Sequence, residues 1–138
     1  MTAAVLEKNL QDLVAEEARR CIGEQWPGQC GDFVREVLAS RGVVVQGHLR
    51  DFGIRTTLKQ KKPGDILLFY ANPIDYKEQR PFHAAILSGP DKLVGKKGSD
   101  VVERSIEFCM REGLPYGITT ISIYHSNIIG YVRIRRIP

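Results

Sequence analysis

The chain is 138 residues long, 43% hydrophobic and 26% charged, which suffices for one globular domain with a core of its own. No apolar run approaches the about 20 residues that a membrane-spanning helix needs. The formal charge of +4 is spread over dispersed basic residues and is too small to argue nucleic-acid binding. The clusters Lys59-Gln60-Lys61-Lys62 and Arg133, Arg135, Arg136 read as solvated rims. At the N-terminus, Met1 to Lys8 show no basic segment leading into a continuous apolar stretch, so no secretory signal peptide is expected.

In chain order, Leu6, Leu10, Leu13, Val14, Ala18 and Ile22 recur at helical spacing and predict a first helix over 3–22. Gly23 and Trp26-Pro27-Gly28 end it and re-aim the chain. A second helix is predicted from Cys30 to Ser40, its apolar face made of Phe33, Val34, Val37 and Leu38. Residues 42–62 are mixed, with Val43-Val44-Val45 readable as a short strand or a packed loop. Pro63-Gly64-Asp65 is a turn into the strand Ile66 to Tyr70, and a loop with Pro73 and Pro81 follows. Further strands are predicted at Phe82–Ser88, Asp100–Arg104, Ile118–Tyr124 and Ile128–Ile134, with a helical turn or loop over 105–113. Helices first and strands after indicate an α+β domain, its N-terminal helices packed on an antiparallel β-sheet.

Three cysteines, Cys21, Cys30 and Cys109, form no CxxC pair, which argues against a disulfide framework and a four-cysteine zinc site. Cys21 lies in phase with the apolar stripe of the first helix and reads as a core residue, as does Cys109. Cys30 differs. A Pro-Gly turn delivers it to the start of a helix, where unpaired N–H groups and the positive dipole end favour a thiolate. It is the candidate nucleophile. A thiolate needs a base, usually histidine, and a polar group to orient that histidine. His83 opens an apolar strand, and its small neighbours Ala84 and Ala85 leave room for a helix to approach. His48 and His125 read as surface residues. Gln29, just before Cys30, has an amide that can donate to a developing oxyanion beside the Cys30 N–H. Asp32 reads as a first-turn carboxylate that stabilises the helix, and Trp26 as a packing residue.

Pro27-Gly28-Gln29-Cys30 with Phe33-Val34, Pro63-Gly64-Asp65-Ile66, His83-Ala84-Ala85-Ile86 and Ile129-Gly130-Tyr131-Val132-Arg133 together resemble the CHAP domain of the NlpC/P60 superfamily of papain-like cysteine peptidases and amidases. The resemblance spans residues 26–133 and makes 1–138 a single CHAP-like catalytic domain. It implies Cys30 as nucleophile, His83 as its partner, and a third polar residue on the strand after the histidine. Glu103 stands in that place, although Arg104 and Ser105 follow where the pattern often has an asparagine. Asn127 or a backbone carbonyl is the alternative third member.

What the resemblance implies is a thiol hydrolase cleaving amide bonds of bacterial peptidoglycan, with no metal or organic cofactor and with a peptidoglycan peptide as substrate. Made in the cytoplasm, it would act in the periplasm or cell wall as a phage lysis or tail enzyme, or as a secreted effector. The sequence identifies no delivery or inhibitor protein as its partner. One alternative keeps the site and changes the substrate to a small non-wall amide such as a glutathione-polyamine conjugate. Another keeps the fold and loses turnover, leaving a binding or scaffold module.

Overall fold

A computed structural model describes residues 3–123, with side chains described from Leu10 onward. Two helices lead, α1 (Ala3–Arg20) and α2 (Cys30–Ser40). Six strands follow: β1 (Ile54–Thr56), β2 (Ile66–Tyr70), β3 (His83–Leu87), β4 (Lys92–Lys97), β5 (Asp100–Ser105) and β6 (Gly117–Ser122). Between them lie two short helices, α3 (Pro73–Lys77) and α4 (Ile106–Gly113). The strands form one antiparallel sheet in the order β1-β6-β2-β3-β4-β5.

The continuous apolar sequence of β2 follows from burial on both faces. Ile66, Leu68 and Tyr70 meet Phe33, Val34, Val37 and Leu38 of α2 together with Leu10, Val14 and Ala18 of α1. Leu67 and Phe69 face the other way, with Ala85, Leu87 and Leu93, and Ile106 and Cys109 of α4 pack against them. Each fully buried side chain of this size contributes about 1.5–3 kcal/mol, so the α2 stripe alone is a large part of what holds helix to sheet. Leu13 and Ile22, predicted on the first helix stripe, are exposed. The stripe rotates instead through Gln11, Val14, Ala15 and Ala18, and the helix ends at Arg20.

Two seams position the two helices on the sheet. After α1, the Gly23 N–H donates to the Val101 carbonyl (2.9 Å), the Val101 N–H to the Glu24 carbonyl (3.0 Å) and the Trp26 N–H to the Ser99 carbonyl (2.6 Å). Gln25 also bonds Asp100 through its side chain. This segment covers the outer edge of β5, and the Trp26 ring meets Phe33 edge-on at 5.6 Å. At the second seam Gly64, at φ +96°, lies so close to the Gln11 carbonyl that a Cβ would collide with it. Beside it the buried Asp65 carboxylate accepts from Gln11 Nε2 (2.6 Å) and the Lys62 N–H (2.8 Å), and it bonds the Ser122 side chain.

The strand β4 is missing from the sequence reading, because Lys92, Lys96 and Lys97 flank Leu93 and Val94 and leave only a short apolar core to the segment. Residues 42–62 contribute β1 and two 3-10 turns, and Val43 is a buried loop residue. The predicted strand Ile128–Ile134 lies outside the described residues.

Replacing Asp65 with alanine should cost about 3 kcal/mol, because it strands the buried Gln11 amide and the Lys62 N–H without an acceptor. Urea denaturation of the two proteins measures this directly.

Candidate active site

Cys30 is the first residue of α2, and Gln29 is its N-cap with extended backbone (φ −80°, ψ 161°). The Gln29 N–H donates to the Asp32 carboxylate at 3.3 Å, as a first-turn carboxylate should. The first intrahelical bond runs from the Phe33 N–H to the Gln29 carbonyl. The Cys30 and Gly31 N–H groups therefore lie ahead of the first intrahelical donor, at the positive end of the helix. The thiol is half-buried and packs against the core between α2 and the sheet. Gln29 is exposed beside it.

His83 stands opposite Phe69 in the β2–β3 pair. Because side chains alternate along a strand, and Ala84 and Ile86 face α2, His83 shares the other face with Ala85 and Leu87. Its ring lies 5.5 Å from that of Phe69, and its Cε1 is close to Gly95. With Cys109 it lines a cavity of about 180 Å³ beneath α4. Burial lowers the His83 pKa below the ordinary histidine value, so the imidazole is neutral at pH 7. In this conformation Cys30 and His83 are presented to opposite faces of the sheet, and the structure does not bring them together.

Glu103 does not orient His83 here. It pairs with Val94, a residue of the α2-side core, and its carboxylate accepts the Ser88 hydroxyl at 2.8 Å. The pleat places it on the face away from the imidazole. His48, read from sequence as a surface residue, is exposed but sits next to the start of α2. With Gln29, Gly31, Asp32 and Arg50 it lines a second cavity of about 180 Å³. Nothing periodic in the sequence marks it, since it precedes a three-residue 3-10 turn, Leu49–Asp51. His125 and Asn127 lie outside the described residues.

Cys21 lies in the turn after α1. Burial, Glu24 and Glu17 all raise its pKa, which keeps it a thiol. The Cys109 thiol is also pushed up by burial, with Arg104 and Lys97 pulling the other way. Among the described residues no group of three or more His, Cys, Asp and Glu side chains is placed to hold a metal ion, and no helix is long and apolar enough to cross a membrane.

With α2 packed across one antiparallel sheet, this chain has the fold of NlpC/p60 domains. The crystal structure of the NlpC/p60 domain of the peptidoglycan hydrolase SagA is similar with a TM-score of 0.61 and 24% identity, over 81% of this chain and 97% of that one. NlpC2 from Trichomonas vaginalis gives 0.64 at 16% identity over 83% of this chain, which spans 46% of that chain. A chain of the type VI native effector-immunity complex Tae3-Tai3 from Ralstonia pickettii gives 0.52 at 19% identity, over 83% and 98%. No protein-family model matches the sequence, and no curated protein matches it at a significant level.

The depressed His83 pKa carries a stability signature. The unfolded chain takes up a proton near pH 6.5 while the folded chain resists it, so wild type should lose stability as pH falls through that value. Comparing urea unfolding at pH 7.5 and pH 5.5, His83→Gln should lack this component of the loss.

Proposed function

We propose that this chain is a cysteine hydrolase of the CHAP type that cleaves amide bonds in bacterial peptidoglycan. The observation that carries the reading is the position of Cys30 at the N-terminus of α2, in a fold shared with the SagA peptidoglycan hydrolase domain. The thiolate attacks the amide carbonyl. Its own N–H and the Gln29 amide donate to the oxyanion, and a neutral histidine takes the thiol proton and returns it to the leaving amine. Water then releases the acyl group.

His83 is the proposed base, neutral at working pH. To reach Cys30 it has to leave the Phe69 ring and turn to the α2 face. It is the first residue of β3, so a bulge there achieves this and leaves the packing of Ala84 to Leu87 in place. Glu103, held by Ser88, has no part in this reading. The separation of Cys30 from His83 favours a second reading, a binding or scaffold module that keeps the fold without turnover.

A thiol probe at neutral pH separates the two. An activated Cys30 labels much faster than Cys21 and Cys109, whereas a silent one labels at an ordinary rate. On purified peptidoglycan, with released fragments identified by mass spectrometry, Cys30→Ala and Cys30→Ser should abolish hydrolysis and barely move the unfolding midpoint. Retained hydrolysis by Cys30→Ala ends the thiol mechanism. Loss in His83→Ala with His48→Ala active supports His83 as the base, and the reverse pattern transfers the role to His48.

A further inference from the structure

The cavity beneath α4 is more than a place where His83 rests. Its walls are apolar, with Phe69, Ala85 and Leu93 from the sheet and Phe108 and Cys109 from the helix. At its mouth two cations address one ring. Lys97 Nζ lies 5.8 Å and Arg104 Cζ 5.4 Å from the Phe108 centroid. The ring attracts both, but they repel each other, and neither forms an ion pair among the described residues. Among the described residues Arg104 donates only to the Glu103 backbone carbonyl, at 3.1 Å, which leaves most of its guanidinium fork unused there. Glu112 is the carboxylate on its rim, which leaves these two cations against one anion. The positive field reaches inside, since Arg104 and Lys97 both act on the Cys109 thiol.

We propose that this cavity binds a small apolar carboxylate. The hydrocarbon body lies against Phe69, Leu93 and Phe108, and the carboxylate sits at the mouth between Lys97 and Arg104. An anion there relieves the repulsion of the two cations and accepts the paired donors of the guanidinium. A cationic ligand would add to that repulsion. The neutral imidazole of His83 offers a polar end without demanding a charge. A volume of about 180 Å³ corresponds to about six displaced waters at ~30 Å³ each, the size of a short- to medium-chain acid. The site stands whether or not Cys30 is reactive.

Octanoate is the probe, with octanol and octylamine as neutral and cationic counterparts, and Cys109 is the reporter. In the full chain, saturating octanoate should slow alkylation of Cys109 by N-ethylmaleimide at least fivefold, read by peptide mass spectrometry, and leave Cys21 unaffected. Octanol should protect about tenfold more weakly by concentration, and octylamine not at all. The double variant K97Q/R104Q should erase the preference of octanoate over octanol. Equal protection by octanoate and octylamine in wild type, protection of Cys21 alongside Cys109, or an unchanged octanoate preference in the double variant would each overturn the proposal. The wild-type comparison needs no variant to fold.

Discussion

Ala84 and Ile86 of β3 have to face α2, because they close the core against Phe33, Val34 and Val37. With a side-chain period of two, that requirement sends His83, Ala85 and Leu87 to the α4 side. The whole functional geometry depends on this constraint. It separates the imidazole from the thiol, lays it on Phe69, keeps it neutral by burial and makes it part of the cavity beneath α4. It also decides the partner of Glu103, whose neighbour Val94 belongs to the α2 face. The small side chain of Ala84 lets α2 approach closely, but approach of the helix does not by itself bring the histidine round.

The helical half is registered on the sheet by polar contacts rather than by apolar packing alone. Hydrophobic contact is non-directional and tolerates sliding. The Asp65 carboxylate, joined to Gln11 and the Lys62 N–H, fixes where α1 crosses the start of β2. Gly64 makes that crossing close, since any side chain at its position would strike the Gln11 carbonyl. Pro63-Gly64-Asp65 thus earns its place in the sequence through architecture. Its distance from the chemistry is consistent with that role.

Much of this was legible in the sequence. Cys30 to Ser40 is strongly periodic, is bounded by a Pro-Gly turn and Gly42, and appears with the predicted limits. Ile66 to Tyr70 was readable because burial on both faces demands a continuous apolar run. Lys92 to Lys97 was not, since β4 pairs through its backbone and exposes its lysines at the ends. The candidate nucleophile was visible because helix starts have local signatures. The orientation of His83 was not, because the face a strand residue takes is set by what its neighbours must bury, and periodicity gives the alternation without saying which face is which. His48 was hidden for a related reason: its place beside Gln29 and Gly31 comes from loop geometry between 42 and 62.

The pairing of residues 23–26 with the edge of β5 has a consequence for how the protein comes into being. The partners are some 75 residues apart in sequence. Chain synthesised early therefore has to wait for chain synthesised late before the turn carrying Cys30 is anchored, and contacts of such separation form slowly. On a ribosome, α1 and α2 emerge long before β5 exists. The cysteine segment stays unanchored through most of translation and reaches its final setting only when the edge strand closes over it. Until then β5 has no cover for its outer backbone groups, so the same seam that sets the cysteine also retires an edge open to pairing with other chains.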